Sequence, residues 1–377
     1  MDNAAPPKVS VVITSRNNEQ TVGECLKSIV ELEYPKGALE IIVIDACSTD
    51  KTAQIAEKYT VRVVSKPLNA PAAYNYALKI ASYDLLAFVD ADAKVEKDWL
   101  KKLIPHLNEP TTAGVSGNIE TWNAENSWAR SIGYDMKTRY TRLKNFTGRV
   151  ATMNLLFKRS VLEEVGGFDE VFPSQYDTDL GFRISSRGYR IAFERTATCY
   201  HFNRPTLRAY FRQQLQYGKN TVRLYFKHSG LAKGDEITDF GMNIQPALIL
   251  AAIGFFLLGI PEILRPLWWA SALILLFMLV YFVFSTARAA VRFRDRTSMR
   301  LVVLYYVRAF AWLAGAGITA VNVLRRKRGS NYSSLSFIEI LRAEVQSIAK
   351  ISTIDNSLFN ATIMTLTGKP IITAKLA

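Results

Sequence analysis

At 377 residues the chain is long enough for more than one folded unit, and 49% hydrophobic against 21% charged residues suits a globular protein carrying additional apolar segments. The net charge of +14 is concentrated beside apolar runs, at Arg288, Arg292, Arg294, Arg296 and Arg300 and again over Arg325, Arg326, Lys327 and Arg328. That placement reads as cytoplasmic anchoring to anionic lipid and sets nucleic-acid binding aside. The three cysteines, Cys25, Cys47 and Cys199, form neither a metal-ligand pair nor a disulfide framework, in keeping with a reducing compartment.

In chain order, "VSVVIT" predicts a strand, and "EQTVGECLKSIVEL" repeats apolar residues at Val22, Leu26, Ile29 and Val30 with helical spacing. "EIIVID" is the second strand, followed by a helix over "STDKTAQIAEKY" with Ser48 or Thr49 as its N-cap. "VRVVS", "APAAYNYALKIAS" and "DLLAFVD" continue the alternation as strand, helix and strand. Strands this apolar, separated by helices, predict a Rossmann-like α/β fold whose mostly parallel sheet is covered on both faces. Ligands bind such sheets beyond the carboxyl ends of the strands. Three of those ends are polar: Thr14-Ser15-Arg16-Asn17, Asp45, and Asp90 with Asp92. Further strands and helices follow through "AGVSGNIETW", "NSWARSIGYDMKTRYTRL", "ATMNLLFKRSVLEEVGGF" and "YDTDLGFRISSRGYRIAFER". The chain opens without a secretory signal, which places this front domain in the cytosol.

Past about residue 240 the composition turns apolar. Runs over 244–260 and 267–287 predict a membrane hairpin that returns the Arg288–Arg300 cluster to the cytosol, as positive-inside requires. A third run, 301–324, is also long enough to span. It would leave the following basic cluster outside, however, and it holds Arg308 at membrane depth. The division expected is 1–240 for the cytosolic domain, 241–324 for membrane helices and 325–377 for a basic segment and tail, giving a multi-pass protein of the cell membrane.

Two carboxylates one residue apart at a strand end can share a hard divalent cation. By itself Asp-x-Asp fits a solvated turn equally well, or Asp92 capping a helix over "KVEKDWLKKLI". Its position after a buried strand, in register with Asp45, turns the reading toward a site. Asp45 in turn has the alternative of capping a helix.

With these motifs in place, the stretch from Val9 to His228 resembles the family 2 glycosyltransferases of the GT-A fold, inverting enzymes that use nucleotide-diphosphate sugars. "VSVVITSRNNEQTVGECLKSI" resembles the family's opening strand and loop, with Thr14 where proline is commoner. "EIIVIDACSTDKT" resembles its second-strand motif through Asp45, Ser48 and Asp50, while Ala46 and Cys47 replace an acid and a glycine. "FVDADAK" matches the metal motif. "EVGGFDE" and "YDTDLGFRISSRGYRI" resemble the acceptor-side glycine pair, Gly166 and Gly167, and the Glu-Asp-x-Asp-Leu helix, with Tyr176 in place of the glutamate. "RQQLQYGKN" resembles a degraded Gln-x-x-Arg-Trp motif through Gln213, Gln216 and Tyr217.

The resemblance implies roles by position. Thr14, Ser15, Arg16 and Asp45 would line the nucleotide pocket, Asp90 would contact ribose or metal, and Asp92 would hold Mg2+ or Mn2+ against the diphosphate. Asp177 takes the position of the general base, with Asp179 the lesser candidate and a structural residue in its own right. His201 matches a histidine placed near the metal in some relatives, with an ordinary structural histidine as the alternative. Gln213 and Tyr217 would face the acceptor, and a tyrosine where processive synthases carry tryptophan favours one sugar per event. The expected partners are a UDP- or GDP-linked sugar, a polyprenyl phosphate or lipid-linked glycan, and the membrane, with no nucleic acid. Three alternatives stand beside this: a processive polysaccharide synthase; a non-catalytic scaffold derived from a transferase; and a nucleotidyltransferase, whose glycine-rich phosphate loop "TSRNNEQT" lacks.

Overall fold

The computed structural model describes residues 5–329, and most of the expected tail lies outside the described residues. The chain runs β1 (Val9–Ser15), α1 (Val22–Val30), β2 (Leu39–Asp45), α2 (Thr52–Ala56), β3 (Arg62–Ser65), α3 (Ala70–Ile80) and β4 (Leu85–Asp90). It continues as β5 (Ala93–Val95), α4 (Trp99–Leu103), β6 (Thr112–Thr121), α5 (Ser127–Tyr140), β7 (Leu155–Lys158), α6 (Arg159–Glu164), α7 (Tyr176–Ser186), β8 (Arg190–His201) and α8 (Leu207–Lys227). Three long helices close the described chain: α9 (Phe240–Leu258), α10 (Leu267–Phe293) and α11 (Leu301–Gly329).

One sheet of eight strands carries the domain, in the order β3-β2-β1-β4-β7-β6-β8-β5. Its first four strands are parallel, as the strand–helix alternation predicts, with Ser15 opposite Asp45 and Thr14 opposite Asp90. Beyond β4 the sheet is mixed: β7 runs antiparallel to both β4 and β6, while β6 and β8 are parallel. Alternate side chains pack on opposite faces. Val11, Ile13, Val43 and Val89 meet α1 and α4, whereas Val12, Ile42, Ile44 and Phe88 meet α3, α6 and α7. Helices therefore cover both faces, and the polar strand ends are pushed to one open edge.

Two local expectations are corrected. Asp92 caps no helix, because the chain after it forms β5, which pairs antiparallel with β8, and α4 begins only at Trp99. Ser48 and Thr49 do not cap α2 either. Ser48 donates to Asp45, Thr49 donates its N–H to Asn17 Oδ1 at 2.9 Å, and the N–H of Thr52 is taken by Asp50 Oδ1 at 3.0 Å. Two loops laced together outcompete a simple cap.

By length and composition α9, α10 and α11 are each apolar enough to cross a membrane. Their surroundings differ. Buried residues make up 22% and 17% of the windows in the first two helices but 44% in the third, which is packed along the domain. α8 and α11 lie side by side, pointing the same way. Trp312 Nε1 donates to Gln214 Oε1 at 2.9 Å, and Thr319 Oγ1 donates to the carbonyl of Lys219 at 3.0 Å. Glycines allow the approach: a Cβ on Gly218 would fall 2.6 Å from the Trp312 backbone, and one on Gly315 2.5 Å from the carbonyl of Leu215. Arg308, a costly charge in an apolar run, is buried against Asp135 of α5 at 3.1 Å.

Candidate active site

β4 delivers Asp90 to the sheet's open edge, where Tyr74 of α3 donates its hydroxyl to Asp90 Oδ1 at 2.5 Å. Burial, and then the charge of Asp92, raise Asp90 above the usual carboxylate range, against the hydroxyls of Tyr74 and Thr152. Pairing of β5 with β8 sets Ala93 opposite His201, which brings the imidazole to Asp92: His201 Nε2 lies 3.5 Å from Asp92 Oδ1, and Arg204 Nη2 3.7 Å from Oδ2. Burial alone would raise Asp92; His201, and then Arg204, hold it below its ordinary value instead. His201 is fixed from behind, since Nδ1 sits 3.0 Å from Asn203 Oδ1 and so turns Nε2 toward Asp92. Asn203 is itself clamped by Asn123 through two hydrogen bonds of 2.8 and 2.9 Å. These two asparagines escape sequence reading, because nothing in their local pattern marks them.

Asp177 stands in the first turn of α7 and accepts the N–H of Thr178 at 2.7 Å. The turn is set by Gln175, whose backbone is left-handed (φ 65°) and whose amide bonds Thr221 of α8 at 3.0 Å. Burial raises Asp177 above the usual carboxylate range, partly offset by the charge of Arg149. Tyr176, where the resemblance expects glutamate, joins the aromatic cluster of Tyr74 and Phe168 instead, with ring centroids 5.9 and 6.0 Å away. Asp179, one residue on, is fully buried between Arg183 (2.8 Å), Lys227 (2.6 Å) and His228 (2.7 Å).

One cavity of about 330 Å³ gathers Asp90, Asp92, Asp177, His201, Gln213 and Tyr217. Its walls include residues the sequence did not single out, among them Arg149, Arg204, Gln214 and, from α11, Trp312; Arg308, flagged only for its cost in an apolar run, is there too. Thr14, Ser15, Arg16 and Asp45 lie outside that lining, along β1 and β2 at the same edge. Asp45 is buried and spends its carboxylate on the loop, accepting from the N–H of Ser48 at 2.9 Å and its hydroxyl at 2.5 Å. Gly166 and Gly167 also lie outside. They carry positive φ after α6, and a Cβ on Gly167 would meet Asn75 Oδ1 at 2.5 Å. The pair makes a turn clamped by Asn75 and lines a separate recess.

Among the described residues no three acidic, thiol or imidazole groups are drawn close enough to form a complete metal shell. The donor set nonetheless fits a hard divalent cation. Such ions take one or two carboxylates and leave other positions to substrate phosphate and water, and a cation would relieve the repulsion between Asp90 and Asp92.

A parallel Rossmann-like half extended by a mixed half, with acids at the end of β4 and at the start of α7, is the arrangement of the GT-A fold. Residues 10–166 match the family model "Glycosyl transferase family 2". The chain is similar to "Probable glycosyltransferase YdaM" of Bacillus subtilis, 29% identical over 59% of this chain and 57% of that protein. It is also similar to "Beta-monoglucosyldiacylglycerol synthase" of Nostoc, 29% identical over 47% of this chain and 41% of that one. The chain thus spans about half the length of these curated relatives. In fold it is similar to the solved "Mannosyltransferase PcManGT from Pyrobaculum calidifontis in complex with GDP-Man and Mn2+", with TM-score 0.54 and 20% identity over 84% of this chain and 88% of that one.

Proposed function

We propose that the chain transfers one sugar from a nucleotide-diphosphate sugar to a membrane-held acceptor, with inversion at the anomeric carbon. The observation that carries this reading is the single cavity that brings Asp90, Asp92 and His201 face to face with Asp177. Asp90 and Asp92, with His201, would hold Mg2+ or Mn2+, which when bound neutralises the diphosphate as it leaves. Thr14, Ser15 and Arg16 line the nucleotide's side of the sheet edge, and Asp45 shapes it by ordering the loop through Ser48. Asp177 takes the proton of the attacking hydroxyl, and its raised affinity for protons suits that task. Gln213 and Tyr217 face the acceptor.

The test uses the full chain in detergent. Binding of UDP- or GDP-linked hexoses should require Mn2+ or Mg2+ and vanish in Asp92→Ala, while Asp177→Asn should bind donor and transfer nothing. Donor binding indifferent to EDTA would refute the metal role, and wild-type turnover by Asp177→Asn would refute the base.

For the membrane arrangement we infer that the α9–α10 hairpin crosses the bilayer, with the domain and Arg288–Arg300 on the cytosolic side, and that α11 lies along the membrane surface. α8 holds Arg208, Arg212, Lys219, Arg223 and Lys227 within 21 residues, too many charges for a bilayer crossing. A helix bound alongside it in the same direction shares its inclination. The exposed face of α11 supports this, because Val303, Phe310, Ile318, Val321 and Leu324 form an apolar stripe opposite the domain, as interfacial helices present. Arg325 to Arg328 then stay on the cytosolic side, as positive-inside asks.

A further inference from the structure

A second cavity, of about 830 Å³, opens between α5, the start of α9, the end of α10 and α11. Five arginines line it (Arg139, Arg142, Arg288, Arg292 and Arg308) against two aspartates, Asp135 and Asp239. The aspartates are already engaged: Asp135 by Arg139 at 2.9 Å and Arg308 at 3.1 Å, and Asp239 by Arg142. Among the described residues Arg288 and Arg292 have no carboxylate partner. Arg288 lies 5.6 Å from the ring of Phe284, and Arg292 lies 5.6 Å from the ring of Phe293 and reaches the hydroxyl of Thr141 at 3.3 Å. Two buried polar atoms of the lining also lack partners within the described chain, the Nε of Arg308 and the Oε1 of Gln245, the latter on a residue only 4% exposed. Tyr281, Phe284 and Val291 of α10 form an apolar wall that continues onto the helix surface assigned to lipid. Asp135, Arg139 and Arg308 line this cavity and the catalytic one alike, so the two are neighbours across a shared wall.

Excess positive charge beside an apolar helix wall, next to a transfer site, suits a lipid with an anionic phosphate head. We propose that this cavity holds the phosphate or diphosphate of a lipid-linked acceptor on Arg288 and Arg292, as an anchor, while a sugar hydroxyl beyond the phosphate reaches Asp177 past the wall of Asp135, Arg139 and Arg308. This rests on the glycosyltransferase reading and chooses within it, for a lipid-linked glycan over a bare lipid phosphate. The arginines without carboxylate partners line the neighbouring cavity and not the one that holds Asp90, Asp92 and Asp177. A phosphate bound there is therefore set apart from the reacting carbon. In the step, the hydroxyl oxygen bonds to the anomeric carbon and its proton passes to the Asp177 carboxylate. The bond from that carbon to the diphosphate oxygen breaks, and the nucleoside diphosphate leaves with the electron pair.

The experiment measures binding of geranylgeranyl diphosphate, geranylgeraniol and inorganic diphosphate to the full chain in detergent. Arg288→Ala/Arg292→Ala should weaken the lipid diphosphate at least about tenfold and leave geranylgeraniol unchanged. Arg288→Lys/Arg292→Lys should recover part of the loss, which separates charge from folding. Equal affinity of wild type and the alanine pair would overturn the site, and inorganic diphosphate binding as tightly as the lipid would overturn the lipid assignment. Geranylgeranyl monophosphate, offered with UDP- and GDP-hexoses, should accept no sugar; formation of a glycosylated lipid monophosphate would overturn the anchor role. Mn2+-dependent donor binding by the wild type reports on the transferase reading independently.

Discussion

Replacing Asp179 with asparagine tests whether the two acids of α7 divide their work between fold and chemistry. Asp179 is fully buried, and its carboxylate meets Arg183, Lys227 and His228 at 2.6–2.8 Å. At an effective dielectric of about 20, the pairs with Arg183 and Lys227 are each worth roughly 6 kcal/mol at that distance before desolvation. Desolvation offsets most of it, and removing one partner from such a buried group costs about 3–5 kcal/mol, because the cations stay behind unneutralised. For a domain of this size that corresponds to a fall in Tm of roughly 6–20 °C. The His228 hydrogen bond, and then the charges of Arg183 and Lys227, hold the folded carboxyl well below its usual range despite burial. Its stabilisation is therefore complete above the unfolded value of about 4 and is lost as pH falls toward the lower folded value. Thermal unfolding of the full chain in detergent should show the gap between wild type and Asp179→Asn at pH 7 and its narrowing below pH about 4. Asp177→Asn should melt close to wild type. A Tm for Asp179→Asn within about 2 °C of wild type at pH 7 would refute the assignment, since it would mean less than about 1 kcal/mol at that site.

Three further outcomes follow from other parts of the molecule. Because burial raises Asp177, the acid limb of transfer rate against pH should lie above the ordinary carboxylate value of about 4, and a limb at or below it would argue for another base. Cys47 holds a left-handed backbone (φ 54°), the conformation its glycine counterpart takes easily, so Cys47→Gly should keep Tm while Cys47→Val should cost about 1–2 kcal/mol in thermal melts. Cysteine at exposed Asn322, in a Cys47→Ala background, should react with an impermeant maleimide from the same membrane face as the domain, and labelling from the opposite face would restore α11 as a span.

The first half of the site was legible because its strands are apolar and its helices periodic. β1, β2 and β4 announce themselves as buried runs, and parallel packing then forces Asp45 and Asp90 to one edge. The approach of His201 to Asp92 was legible only as a resemblance, since it depends on β5, a three-residue strand with no period of its own, pairing with β8. Asn123 and Asn203 act through contacts 80 residues apart in sequence, which no local spacing encodes. Arg308 was visible as a cost without a partner; its partner, Asp135, lies 173 residues away on α5. Gly166 and Gly167 stand out in the sequence, yet their turn meets Asn75 and lies outside the cavity of Asp90 and Asp177.

The docking of α11 on α8 has a consequence for how the chain comes to life. The sheet and its acids are complete by residue 228, but Arg308 and Trp312, which wall the catalytic cavity, arrive only with the last described helix. A chain emerging from the ribosome would fold its donor half first and remain an open trough. On the membrane arrangement proposed above, closure would wait until the hairpin has been threaded into lipid and the following helix has swung back onto the domain. Membrane insertion would then act as a licensing step, and a molecule that failed to insert would hold its acids in place without that enclosure.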